Sequence, residues 1–213
     1  MIAMIAPAKC VILLSCFAVA LGVGTDSMAQ ARTPQILEVS RDYLKPDAVA
    51  ANRKLERRAE ALCRTLGFTH PYLTIESVSG PAEMWYLNRF DSEAEVEELR
   101  REYQQSTKLL AALDDITRQK VPLKHLESTD EFVNYRPDLS RGEPWILGRG
   151  RFFVIVFFDG DPPLNGTVFE MKDGSRMLVR TTQTSSEARV LAASAGSTAR
   201  IFRSYFYFRP KDM

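Results

Sequence analysis

The sequence is poor in the side chains from which metal and nucleophilic sites are usually built: among 213 residues there are two histidines and three cysteines. His70 and His125 stand far apart, with no His-x-x-x-His or Cys-x-x-Cys, so no metal site is indicated. Asp159-x-Asp161-x-x-x-Asn165 offers oxygens to a calcium ion, but Pro162-Pro163 and the missing distal carboxylate favour a plain turn. Gly148-Arg-Gly150 lacks the third glycine and the following helix of a phosphate loop, and Gly-x-Ser-x-Gly is absent. An excess of one charge is absent too: 28 Lys+Arg balance 27 Asp+Glu, net +1. No global field draws this chain to nucleic acid or to an acidic membrane.

Long hydrophobic runs are also missing. The longest apolar stretch, residues 10–24, is shorter than the about 20 residues a spanning helix needs. Lys9 precedes it and Ala29-Gln30-Ala31 follows, which makes residues 1–31 a secretory signal with cleavage expected after Ala31. A retained anchor is the alternative; Leu13-Leu14-Ser15-Cys16 resembles a lipobox, but the apolar run continues past the cysteine. The expected product is an exported bacterial protein, periplasmic or extracellular, monomeric or homodimeric, without a stable membrane span. Cleavage leaves Cys63 as the single cysteine, so no disulfide forms within that chain. Its neighbours Ala59, Leu62 and Leu66 mark it as a buried, inert thiol.

What is present is an orderly succession of elements. Residues 35–44 read as a strand, and Lys45-Pro46-Asp47 starts a helix whose apolar face is Leu55, Ala59, Leu62 and Leu66, ended by Gly67. Residues 70–77 and 83–90 read as a hairpin about Val78-Ser-Gly-Pro. Ser92 and Glu95 form a capping-box pattern ahead of one helix running to about Lys120, with Val96, Leu99, Tyr103, Leu110, Leu113 and Ile116 on its apolar face. A strand at 131–135 completes β-α-β-β-α-β, the ferredoxin-like order. After a turn-rich crossover, residues 151–158 are apolar on both faces and read as a doubly covered strand. A second hairpin (167–171, 176–181), a helix (186–195) and a last strand (199–209) follow.

The halves echo one another. Gly80 precedes Ser92-Glu93-Ala94 by the same spacing at which Gly174 precedes Ser186-Glu187-Ala188, which suggests a duplicated unit. Ile36-Leu-Glu-Val, Leu44-Lys-Pro, the paired strands and Trp85-Tyr-Leu-Asn-Arg-Phe-Asp-Ser-Glu-Ala resemble NIPSNAP-like and antibiotic-biosynthesis-monooxygenase-like proteins. The resemblance implies an α+β fold of two ferredoxin-like repeats closing an intrachain barrel, the second lacking its first helix. The expected division is signal 1–31, first repeat 32–136, crossover 137–150 and shortened second repeat 151–213. The wider superfamily holds cofactor-free oxygenases, haem-binding enzymes and many proteins without known activity, so the resemblance does not fix the chemistry.

Three function classes follow: binding of a small, partly apolar molecule inside the barrel; an oxygenase-like or haem-binding enzyme; and an interaction module with a packed interior. No catalytic residue, metal or cofactor is assigned, haem being left open through His70. The binding reading selects Glu76, Tyr86 and Asn88 on the hairpin. It adds Arg203 and Tyr205 on the last strand, and Tyr135, Arg136, Arg141 and Trp145 along the crossover. Arginine there would hold an anionic group and aromatics would stack. On the last strand, alternation assigns Phe202, Phe206 and Phe208 to the helix-packed face, and Arg203, Tyr205, Tyr207 and Arg209 to the barrel lining.

Overall fold

The computed structural model describes residues 32–209; the expected export signal lies outside the described residues. Eight strands close an antiparallel barrel: β1 Ile36–Tyr43, β2 Tyr72–Ser77, β3 Glu83–Phe90, β4 Thr129–Tyr135, β5 Phe152–Phe158, β6 Thr167–Glu170, β7 Arg176–Thr182 and β8 Ala199–Phe208. Four helices pack outside it: α1 Val49–Thr65, α2 Glu93–Gln105, α3 Thr107–Lys120 and α4 Ser185–Ala195. The order around the barrel is β1-β3-β2-β8-β5-β7-β6-β4. The mixed α+β barrel class expected from the sequence is therefore present.

The barrel closes through two unequal seams. β2 pairs with β8 along its whole length, from Tyr72↔Phe208 to Ser77↔Phe202, whereas β4 and β6 share only Asn134↔Glu170 and Tyr135↔Phe169. The interior is filled by apolar residues that alternate along the strands, among them Leu37, Val39, Leu73, Ile75, Trp85, Phe153, Phe169 and Phe202. A second apolar cluster lies under α1–α3, around Cys63, Phe90, Leu109 and Phe208, and a third lies under α4, around Val154, Val156, Leu178 and Ile201. At about 1.5–3 kcal/mol for each fully buried side chain, these three clusters dominate the favourable side of folding.

Three local expectations need correction. The single helix to Lys120 is two, broken at Ser106 (φ −93°, ψ 72°), which ends α2 and begins α3. The break re-phases the apolar stripe, so Leu109 is buried in place of Leu110. On α1 the buried positions are Asn52, Glu56, Ala59 and Cys63, a stripe displaced from the expected leucines because Asn52 and Glu56 find polar partners on the sheet and α3. On β8, pairing to β2 passes from Thr74↔Phe206 to Ile75↔Ser204, so Tyr205 is a bulge. A bulge inserts one residue and reverses the alternation beyond it. Phe202 accordingly joins the interior cluster and Phe206 the helix-covered one, while Tyr207 packs against the interior from the far side of the bulge.

Candidate functional site

The residues selected from the sequence come together only in part, and not inside the barrel. Leu73, Ile75, Trp85 and Leu87 take the interior positions of the first hairpin, so Thr74, Glu76, Tyr86 and Asn88 face outward under the helices. Glu76, 6% exposed, accepts from Arg53 Nε at 2.8 Å and Arg53 Nη2, and from Arg203 Nη2 at 3.3 Å. Tyr205 joins this group from the bulge: its hydroxyl accepts from Arg57 Nη1 (2.7 Å) and donates to the Arg53 carbonyl (3.2 Å). Asn88 Nδ2 donates to Glu38 Oε2 at 2.9 Å, and burial raises the Glu38 carboxyl above its ordinary range. Tyr86 donates to Glu56 Oε1 (2.7 Å) and accepts from Lys120 Nζ (3.1 Å), with Asp42 Oδ2 at 3.1 Å. Burial, then the Glu56 and Asp42 carboxylates, push the Tyr86 phenol well above its ordinary value. Apart from Thr74, whose Oγ1 has no partner, these groups satisfy one another and form a structural polar layer between helices and sheet.

The crossover residues are also committed elsewhere. Trp145, 4% exposed, does not stack at an opening but plugs the interior, edge-on to Phe153 and Phe169. Its backbone N–H donates to Thr167 Oγ1 at 2.6 Å and its indole to the Arg149 carbonyl at 3.2 Å. Tyr135 packs on the same interior cluster beside Phe169. Arg136, proposed as an anion contact, is held by Asp138 (2.7 Å) and Glu170 (2.6 Å). Arg141 is exposed on the crossover, where its backbone N–H donates to the Gly166 carbonyl.

The concave site is at the mouth of the barrel, where β2 begins and β3 and β8 end. A cleft of about 680 Å³ opens there. Its walls come from residues 69–71 ahead of β2, Arg89 on β3, the face of α2 that carries Glu95, Glu98, Leu99 and Glu102, residues 146–149 of the crossover, and Tyr207 and Arg209. The crossover inserts Leu147 as well as Trp145 into the apolar interior. Gly148 takes φ +84° and lies under the Tyr207 ring, where a Cβ would stand 2.6 Å from a ring carbon. Only glycine permits that approach.

His70 gives the cleft its distinctive group. Its ring stacks on Phe90 at 4.7 Å, and its Nε2 is buried with no hydrogen-bond partner. Burial pushes the imidazole down to about 4, against a backbone hydrogen bond at Arg89 that favours the charged form. At pH 7 the ring is neutral. Burial raises the Tyr207 phenol, with Arg89 and Arg209 acting in the opposite sense. His125 lies elsewhere, its Nδ1 3.1 Å from the Leu44 carbonyl. Among the described residues no group of three His, Cys, Asp or Glu is placed to hold a metal ion. Sequence reasoning named His70 and Tyr207 as secondary candidates and missed Arg89, Arg149 and the acidic face of α2; the glutamates at i, i+3 and i+7 were the available signal.

Comparison with known proteins adds the fold and little more. Neither a protein-family model nor a curated protein sequence matches the chain. Among solved structures, a putative monooxygenase from Fusobacterium nucleatum matches with TM-score 0.54 at 9% identity, covering 84% of this chain and 95% of that one. One from Lactobacillus acidophilus matches with TM-score 0.47 at 7% identity, covering 84% and 97%. The chain thus has the ferredoxin-like α+β barrel fold of the Fusobacterium structure, while the NIPSNAP likeness finds no counterpart in these matches.

Proposed function

We propose that this protein binds a small, partly apolar molecule at the mouth of its barrel, beside His70, rather than within the barrel. The observation that carries the reading is a cleft of about 680 Å³ lined by Leu99, Ile146, Leu147 and Tyr207 together with His70, whose Nε2 is buried and unpartnered. A volume of this size matches small-molecule sites, and a polar atom buried without a partner needs a ligand group or water to offset about 1–3 kcal/mol. Binding is favoured over acid–base catalysis because an imidazole held near 4 is a weak proton acceptor at neutral pH. Export is part of the proposal, on the strength of residues 1–31. So is descent from a duplicated ferredoxin-like unit: β4-β1-β3-β2 and β8-β5-β7-β6 run in the same order, and residues 159–166 join β5 to β6 without a helix.

Oxygen chemistry is the second reading, favoured by one observation: His70, a neutral imidazole in the cleft lining, has its Nε2 unclaimed. When bound, haem would supply the redox chemistry, and His70 is the side chain at the cleft suited to hold it. Native mass spectrometry and an absorption spectrum of the purified protein test both readings, with Thr69→Trp as a cleft-filling variant. The expected result is a retained non-haem molecule that Thr69→Trp loses. A Soret band replaces the binding reading with the haem enzyme; no retained molecule, and no resonance shift at the cleft on adding small aromatic probes, leaves the packed module.

A further inference from the structure

Resting on the barrel-mouth reading, we propose that the ligand is a zwitterion of amino-acid size, its ammonium held by α2 and its carboxylate by Arg149 of the crossover and Arg209 just past the end of β8. The cleft has separated charge. α2 contributes Glu95, Glu98 and Glu102, on one helical face, and the remaining walls contribute Arg89, Arg149 and Arg209. Several of these are already engaged. Glu95 Oε2 accepts from the Asp91 backbone N–H (2.7 Å), Glu102 Oε2 accepts from Thr69 Oγ1 (2.8 Å), and Arg89 Nη2 donates to Asp91 Oδ2 (2.9 Å). What is left is one carboxylate, Glu98, and two guanidinium groups, Arg149 and Arg209. None of the three has an ion-pair partner among the described residues. Leu99, Ile146, Leu147 and the Tyr207 ring supply apolar surface in the same cleft.

The signs select the ligand. A plain anion is attracted by Arg149 and Arg209 but meets three glutamates from α2, and a plain cation meets the converse. Because His70 is neutral it does not tilt the balance. A molecule carrying both charges beside an apolar body satisfies each wall with its own pole, and planar guanidinium groups match a carboxylate in two-point geometry.

The test titrates the purified protein with L-phenylalanine and its single-charge analogues, 3-phenylpropionate and 2-phenylethylamine, by calorimetry and by resonance shifts. Phenylalanine is expected to bind at least tenfold more tightly than either analogue. Glu98→Gln should erase its advantage over 3-phenylpropionate, and the double variant Arg149→Gln/Arg209→Gln its advantage over 2-phenylethylamine. All three positions are exposed, and unchanged thermal midpoints check that the variants fold. An analogue binding as tightly as phenylalanine, or binding unaffected by these variants, overturns the zwitterion proposal; Thr69→Trp abolishing that binding leaves the cleft itself as the site. If none of the three probes binds, the zwitterion proposal fails, and the fate of the retained molecule in Thr69→Trp decides the broader reading.

Discussion

The first-half sheet is buried on both faces, and the two faces are filled by opposite means. Inside the barrel, Leu37, Val39, Leu73, Ile75, Trp85 and Leu87 pack against Phe153 and Phe202, and charge enters at one end, where Arg41 lies over the Trp85 ring and Glu83 accepts from its indole N–H. Outside, under α1 and α3, alternate residues of the same strands bury Asp42, Thr74 and Glu76, together with Asn52 and Glu56 from the helix. Period-two alternation separates the faces but does not say which one is the barrel interior. The ionic layer is tenable because charges arrive in pairs from two elements: Lys120 Nζ bonds Glu56 and lies 3.6 Å from Asp42, and Lys124 lies 3.2 Å from Asp42. One face is held by area and the other by matched partners, so they should fail differently.

The sharpest break is at the apolar face. Trp85, fully buried, sits beneath Phe202 (4.6 Å) and donates its indole N–H to Glu83 Oε2 at 2.7 Å. Trp85→Ala is expected to lose about 3–5 kcal/mol in urea unfolding, from the lost burial and the cavity together. On the polar face, Glu56→Ala leaves Asp42 as the one carboxylate beside Lys120 and Tyr86. A loss of about 3 kcal/mol is expected, the low end for a broken buried pair because Asp42 remains. Replacing both partners, Glu56→Met with Lys120→Met, should cost no more than about 1 kcal/mol, because an intact apolar substitute leaves no buried charge. If the double variant is worse than Glu56→Ala, the pair is a net stabiliser and the distinction between the faces collapses.

The order of elements was legible because it rests on local signals. Gly67 follows α1 with φ +72°, the Ser92 side chain caps α2 by accepting from the Glu95 N–H, and the doubly apolar run became β5. The assignment of faces was not legible, because it is decided by residues distant in sequence. Polar side chains at Glu76 and Tyr86 read as a cavity lining until Arg53, Glu56 and Lys120 are known to reach them. The bulge at Tyr205 depends on register with β2, which no feature of β8 announces. The cleft was the least legible feature, since its walls come from segments around residues 70, 98, 148 and 208 that only closure of the barrel brings together.

Acid separates the cleft from the ionic layer. The folded-state value of His70 is depressed to about 4, below the ordinary 6.5 of the free imidazole. In that interval the unfolded chain binds a proton that the folded chain refuses, so stability is complete above pH 6.5 and declines as pH falls toward 4. The decline amounts to about 3 kcal/mol. Burial raises the Asp42 carboxyl, but Lys120, Ser128 and Lys124 together bring it below its ordinary 3.8. Its contribution is therefore present above pH 4 and is lost only as pH falls further. Unfolding measured in steps of pH should show His70→Gln flattening the interval from 6.5 to 4 relative to the parent, with the loss below 4 unchanged. A parallel decline in both proteins would place the proton elsewhere.

The smallest expected effect has the opposite sign and tests the polar layer at its weakest point. Thr74 is fully buried on the outer face, paired with Tyr86 and Phe206 across the sheet, and its Oγ1 has no hydrogen-bond partner. Asn52 Oδ1, on the helix above that layer, is likewise unpartnered, while its Nδ2 donates to Met84 Sδ at 3.3 Å. A hydroxyl buried without a bond costs about 1–3 kcal/mol, and valine keeps its shape and the β-branched preference for strands. Thr74→Val is therefore expected to raise stability by about 1 kcal/mol in urea unfolding, with an unchanged denaturant dependence. A loss of that size would mean that the hydroxyl is bonded in solution, to an ordered water or to Asn52. Asn52→Leu alongside Thr74→Val separates those cases: non-additive losses mark a direct bond between the two side chains, and additive ones a separate water for each.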